Sequence, residues 1–175
     1  MDAKDDGSSF DLTPRPPGDE DLLELCRELN AAGARYIVIG GFAIRAAGYM
    51  RGTGDIDLLV DASLENEARV YKALESLPDK AVLALGPGEI QQYVVVRVAD
   101  EVVVDLMASA CGIDYEQAKG SVVVMEQKGV TIPFASPLLL WQMKAPTRRM
   151  KDESDLVFLR DRLAEMGIEP PGLNR

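Results

Sequence analysis

The stretch GGFAIRAAGYMRGTGDIDLLVD, residues 40 to 61, decides the fold. Just ahead of it, RYIVIG (35 to 40) is a β-branched run closed by glycine, the pattern of a buried strand. FAIRAAGYM (42 to 50) then reads as a short helix, and DIDLLVD (55 to 61) as a second strand. Gly40 and Gly41 therefore stand where a strand turns into a helix. With no Cβ, the backbone there can come close to a phosphate, and a helix N-terminus adds favourable partial charge. A tight turn alone asks for the same two glycines.

Asp55-Ile56-Asp57 sharpens the reading. Alternate residues of a strand face the same way, roughly 6.5 to 7 Å apart at Cα. Two carboxylates so placed can bracket a pair of divalent ions about 3.5 to 4 Å apart, the spacing phosphoryl transfer uses. The plain alternative is a loop-capping Asp55 and a solvated Asp57. Two acids aimed into one small space repel unless a cation or proton intervenes. A third acid, Asp105, interrupts the apolar run VVVDLM, where a carboxylate is costly unless paired or metal-bound. If its strand lies beside DIDLLV, it joins the same site; on an edge strand it would face water.

Working outward, residues 1 to 18 are rich in Gly, Ser, Pro and Asp and read as a flexible arm. A core follows over 19 to 135 and a C-terminal helical segment over 136 to 175. Asp19 is placed to cap a helix with Leu22, Leu25, Cys26 and Leu29 on one face and Gly33 at its end. Ser63 to Leu77 forms a crossover helix. QQYVVVRVA (91 to 99), a turn at Asp100 and EVVVDLM (101 to 107) form an antiparallel hairpin, which makes the sheet mixed. SVVVMEQ (121 to 127) and VTIPF (130 to 134) give a further strand pair around Gly129. Pro137 opens a helix that Pro146 stops, and 152 to 167 is an amphipathic helix ended by Gly167. The expected fold class is α/β (α+β), a mixed sheet with flanking helices and a small C-terminal helical part.

Composition limits the chemistry. The 175 residues suit one domain, and 19 Lys and Arg against 29 Asp and Glu give a net charge of -10, which argues against nonspecific DNA binding. There is no histidine, so imidazole bases, Ser-His-Asp triads and His-ligated zinc are excluded. Cys26 and Cys111 are far apart and indicate neither a disulfide framework nor a CxxC site. No apolar run is long enough to span a membrane, and MDAKDDGSSF is acidic where a signal peptide would be basic. The expected location is the cytoplasm.

The apolar strand, Gly40-Gly41, thirteen further residues, Asp55-Ile56-Asp57 and the later Asp105 resemble the DNA polymerase β-like nucleotidyltransferase superfamily. Within it the segment looks most like small bacterial members, including AbiEii-type toxin and lincosamide-modifying nucleotidyltransferases. The resemblance is strongest over 35 to 61, fair over 101 to 107 and suggestive over 136 to 160. Many members carry Gly-Ser where this chain has Gly-Gly.

The resemblance implies that Gly40 and Gly41 cradle a triphosphate. Asp55 and Asp57 hold two Mg²⁺ ions, with Mn²⁺ as the alternative, and Asp105 binds the metal on the acceptor side and helps deprotonate the acceptor hydroxyl. It places Arg51 and Thr53 near the nucleotide and offers Lys144 as a phosphate contact; a surface arginine and a dipole-complementing lysine are the plain alternatives. Arg148, Arg149 and Lys151 form a compact basic cluster. Asp152 and Asp155 open a helix, where capping alone explains acids. Trp141 reads as core.

The implied activity is transfer of NMP from an NTP to tRNA, a protein hydroxyl or a small molecule, with pyrophosphate released, in the manner of toxin-antitoxin enzymes. A homodimer or a partner protein would supply acceptor surface. The rival is a non-catalytic nucleotide-binding or antitoxin-like partner with the same fold.

Overall fold

A computed structural model gives the protein's structure over residues 13–172. In chain order its elements are α1 (Asp19–Ala31), β1 (Tyr36–Ile39), α2 (Gly40–Ala46), β2 (Asp55–Val60), α3 (Leu64–Leu74), α4 (Glu89–Gln92), β3 (Val96–Ala99) and β4 (Val103–Met107). There follow β5 (Ser109–Ala110), β6 (Ile113–Asp114), α5 (Tyr115–Ala118), β7 (Val122–Gln127), β8 (Val130–Ala135), α6 (Pro137–Lys144) and α7 (Glu153–Glu165). Six strands make one sheet in the order β3-β4-β2-β1-β8-β7, and β5 pairs with β6 separately. β1 runs antiparallel to β2 and parallel to β8, while β2 runs parallel to β4. The fold class is the expected α+β arrangement, a mixed sheet with flanking helices and a C-terminal helical part.

Every residue of β1 is buried, as its unbroken apolar sequence requires of a central strand. β2 alternates at its start: Ile56 and Leu58 are fully buried, while Asp55 and Asp57 on the opposite face are half-buried. α1 and α3 pack against each other, α1 also covers β8, and α6 packs on α7 while touching α2 and β8. Leu25, Cys26 and Leu29 of α1 and Leu159 and Leu163 of α7 lie in one continuous core with the strands. Both cysteines are free, Cys26 buried and Cys111 exposed.

A polar clamp sets the β1/β2 register. The Asn66 side chain, wholly buried in the first turn of α3, accepts from Arg35 N at 2.7 Å and donates to the carbonyls of Arg35 (2.9 Å) and Asp61 (2.7 Å). Those groups flank the last ladder pair, Tyr36 with Val60, and three steps along the same ladder Ile39 lies opposite Asp57. Ser63 caps α3 as expected, accepting from Asn66 N. Two further buried acids serve the backbone. Asp100 accepts from the amides of Asp79, Ala81 and Glu101, and Glu67 accepts from those of Gly88 and Ile90.

Some expected boundaries change. The strand expected over 91–99 begins only at Val96. Glu67 takes the amides that open α4, and Ile90 is fully buried as the anchor of that turn, so this packing overrides the β propensity of the run that follows. Tyr93, Val94 and Val95 are left exposed. Asp19 is not the cap of α1: Gly18 occupies that position, and its amide donates to Asp21, which reaches back from the first turn. Most of the expected arm lies outside the described residues. In its described part, Arg15 forks onto Asp21 (2.7 and 2.8 Å) and pairs with Glu101 (2.8 Å). Among the described residues no helix is long and apolar enough to cross a membrane.

Asn66→Ala is expected to lower stability by about 2 to 4 kcal/mol, because it strips three hydrogen bonds and leaves the part-buried Arg35 amide and Asp61 carbonyl without them. Urea unfolding measures this; a loss below about 0.5 kcal/mol, the range of ordinary surface changes, would show that solvent replaces the clamp.

Candidate active site

The sheet register assembles the acids. Asp57 on β2 lies directly beside Asp105 on β4, and Arg97 on β3 lies directly across from Asp105. Three strands thus present Arg97, Asp105 and Asp57 in one row, with Asp55 one strand repeat further along. Asp55, Asp57 and Asp105 each offer a carboxylate oxygen within 4.8 Å of the others. Asp105 is 5% exposed, so the acid interrupting VVVDLM belongs to the cluster and does not face water from an edge.

Both glycines are required by what stands over them. Gly40 has φ of +65°, and a Cβ there would lie 2.2 Å from Asp57 Oδ2. A Cβ on Gly41 would lie 2.6 Å from Thr53 Oγ1 and 2.7 Å from Thr53 Cβ. The side chains of Asp57 and Thr53 therefore rest on bare backbone. Thr53 is held in turn by donating to the carbonyl of Asp55 at 3.0 Å.

Asp57 carries the electrostatic strain of the cluster. Its carboxyl is pushed up to about 7, first by burial and then by the charges of Asp55 and Asp105, with Lys144 pulling the other way. Arg97 answers the other two acids. Its Nε and Nη2 donate to the two oxygens of Asp105 at 2.9 and 2.8 Å, and Nη2 reaches Asp55 at 3.4 Å. These contacts hold the Arg97 guanidinium even more firmly charged than usual.

A second charge cluster forms the far wall. Asp155, 1% exposed, receives Arg51 Nε and Nη2 at 2.7 Å each and Lys144 Nζ at 3.2 Å. Asp152 receives Lys144 at 3.0 Å and Arg149 at 2.8 Å, and its carboxyl is held below the usual range by Lys144 and Arg149 against the opposing effect of burial. Asp152 occupies the N-cap position of α7 without a side-chain capping hydrogen bond, and Asp155 lies in the first turn as expected; beyond that, Asp152 is the countercharge of Lys144 and Arg149, and Asp155 that of Arg51 and Lys144. Asp155 lies four and eight residues before Leu159 and Leu163, on the buried stripe of its helix, which required a partner of opposite charge.

Gly40, Gly41, Arg51, Thr53, Asp55, Asp57, Asp105 and Lys144 all line one cleft of about 770 Å³. Arg51 and Lys144 reach it from within ion pairs. Arg97, Arg149, Lys151 and Asp152 line it too, giving five cations against four acids in a chain of net charge -10. The cleft thus gathers cations within an acidic chain, four of the five already in ion pairs with acids around it. Arg148 does not line the cleft, and Trp141 is buried with its Nε1 donating to the carbonyl of Pro171.

Arg97 is the residue that sequence reasoning missed, although its signal was present. It interrupts an apolar strand as Asp105 does, and a hairpin with loop 100–102 sets the two opposite each other.

Compared with known proteins, the chain matches no protein-family profile and no curated protein. Among solved structures it is similar to a Thermotoga maritima protein described, provisionally, as a nucleotidyltransferase: 17% identity, covering 83% of this chain and 92% of that one, with a TM-score of 0.49. A likeness at that level concerns the backbone layout and carries no activity from one protein to the other.

Two outcomes follow from the charges. Because the native Asp57 value lies above the ordinary 3.8, the folded state holds a proton that the unfolded state releases between about pH 4 and 7. Stability from this group therefore falls as pH rises through that window. In metal-free buffer Asp57→Asn should remove the fall and be more stable than wild type at pH 8, as read by paired urea melts at pH 5 and 8. An unchanged pH dependence would mean that the three acids are not mutually strained.

Asp155→Asn should cost about 3 kcal/mol, since it removes a buried countercharge from Arg51 and Lys144. Thermal and urea melts measure this; a cost under about 0.5 kcal/mol would mark the cluster as a solvated surface network.

Proposed function

We propose that the protein is a metal-dependent nucleotidyltransferase that moves a nucleoside monophosphate from an NTP to a hydroxyl acceptor and releases pyrophosphate. The observation that carries this reading is the convergence of three carboxylates from two adjacent parallel strands in a cleft otherwise rich in cations. The donor set is oxygen only, which suits hard divalent ions, and Asp57 is pushed upward first by burial and then by the charges of Asp55 and Asp105, which a bound cation would offset. Asp55, Asp57 and Asp105 would hold the ions, Mg²⁺ first and Mn²⁺ as the alternative. When bound, such ions neutralise triphosphate charge and make an acceptor hydroxyl more acidic.

The chain's own residues supply position. Gly40 and Gly41 let phosphate oxygens approach the backbone, and Thr53 holds the loop above them. Arg51 and Lys144, fixed by Asp155, set the far wall, while Arg149 and Lys151 present positive charge to the triphosphate. Asp105 orients the acceptor hydroxyl and draws its proton. The acceptor oxygen then bonds to the α-phosphorus as the bond to the β-phosphate bridge breaks, a reaction governed by placement and charge. The acceptor is a tRNA, a protein hydroxyl or a small molecule. The acidic surface disfavours long RNA contacts, and a second copy or a partner protein would supply the acceptor's seat, as in a toxin-antitoxin pair in the cytoplasm.

One observation favours the rival reading of a non-catalytic nucleotide-binding partner: Arg97 already engages both oxygens of Asp105. An α-³²P transfer assay separates the two. Each NTP is incubated with Mg²⁺ or Mn²⁺ and with extract fractionated into RNA, protein and small molecules. Wild type should label one fraction, and Asp105→Asn should lose more than about 100-fold of that label, exceeding the loss typical of groups that merely orient metal ligands. Its NTP binding should be nearly unchanged. No label in any fraction would favour the non-catalytic partner.

A further inference from the structure

Arg97 belongs to β3, the edge strand of the sheet, and its partner Asp105 belongs to the neighbouring β4. Its guanidinium covers both oxygens of Asp105 and one of Asp55, and it makes no hydrogen bond to Asp57. The Arg97 side chain is 60% exposed, against 7% for that of Asp105. The arginine thus approaches the acids from solvent, along the open edge of the cleft.

We propose that Arg97 is the resident counter-ion of the acid cluster and that it competes with the divalent ion for Asp105 and Asp55, so that free metal binds weakly and the ion enters with the nucleotide's phosphates. This rests on the metal-dependent reading above. The oxygens that would hold the acceptor-side ion are the ones the guanidinium now occupies. A doubly charged ion beside it would be repelled, so either the arginine swings out or the ion binds less tightly; both lower the affinity for free metal.

The swing is open to this side chain and closed to the buried Lys144. Among the described residues β3 has no further strand on its outer side, and a half-exposed arginine regains water as it leaves. Lys144, by contrast, is 8% exposed between two buried acids. The triphosphate's negative charge would draw the departing guanidinium and supply further oxygen ligands to the ion. Nucleotide and metal therefore favour each other's binding, and Arg97 sets how strongly.

The test uses the full chain and Mn²⁺ alone as probe, with free ion followed by electron paramagnetic resonance, then repeats the titration with a saturating non-hydrolysable NTP. Arg97→Gln should bind free Mn²⁺ about tenfold more tightly than wild type, in the range by which groups next to metal ligands alter affinity, and nucleotide should enhance its Mn²⁺ binding less. Arg97→Lys should fall between, since it keeps the charge and loses the fork. Mn²⁺ should also raise the Tm of Arg97→Gln more than that of wild type. Equal or weaker Mn²⁺ binding by Arg97→Gln, with wild type binding, overturns the competition and leaves the metal site standing. No Mn²⁺ binding by any of the three, with or without nucleotide, overturns the metal reading and the competition together. Should Arg97→Gln fail to fold, Arg97→Lys decides: tighter binding supports the proposal and unchanged affinity overturns it.

Discussion

Mutual repulsion among Asp55, Asp57 and Asp105 is the constraint on which the rest of the site depends. A sheet that seats Asp57 beside Asp105 sets two like charges on neighbouring strands, and Asp55 adds a third. In a partly dry cleft such charges are costly unless balanced. The surroundings supply that balance in layers: Arg97 pairs directly with Asp105 and Asp55, Lys144 acts on Asp57 from the far wall, and Asp57 itself tends to keep a proton. The glycines belong to the same account. The carboxylate of Asp57 can sit where it does because Gly40 has no Cβ beneath it.

A second tier of charges fixes the wall across from the acids. Arg51 comes from the loop before β2, Lys144 from the end of α6, and Asp155 from the first turn of α7, and they meet around one buried carboxylate. Buried ion pairs of this kind add little net stability compared with apolar packing, but breaking one is costly. Their evident effect is geometric. They tie the C-terminal helices to the loop carrying Thr53, and so hold the two sides of the cleft at a set separation. The two charge systems differ in character: the wall centres on the buried Asp155 and Lys144, while Arg97 stands at the solvent edge.

Much of this was legible in residue order, for definite reasons. A β-branched run ending in Gly-Gly marks the strand-to-helix turn, and Asp-Ile-Asp on a strand must alternate between faces. Periodicity likewise located α1, α3 and α7, and the prolines at 137 and 146 bounded α6. Where local pattern and packing disagreed, packing prevailed. The run from Gln91 to Val95 has strand composition, yet the carboxylate of Glu67, over twenty residues earlier in the chain, turns its start into α4. Asp152 and Asp155 stand where helix caps usually stand, and only the approach of Lys144, Arg149 and Arg51 gives them a different role.

The sequence by itself determined the class of fold, the strands that carry the acids and the residue types at the cleft, because period, turn chemistry and charge are local properties of the chain. It also excluded imidazole chemistry through the absence of histidine. Only the tertiary structure decided that β4 lies beside β2, that Asp105 is therefore an inward acid, that Arg97 reaches Asp55 and that Arg51 meets Asp155. Those facts depend on contacts between segments far apart in sequence, with Asp55 and Arg97 separated by 42 residues and Arg51 and Asp155 by 104. No local preference encodes which distant charges will meet; burial in a common cleft selects them, since an acid left there without a cation would cost more than the fold can sustain.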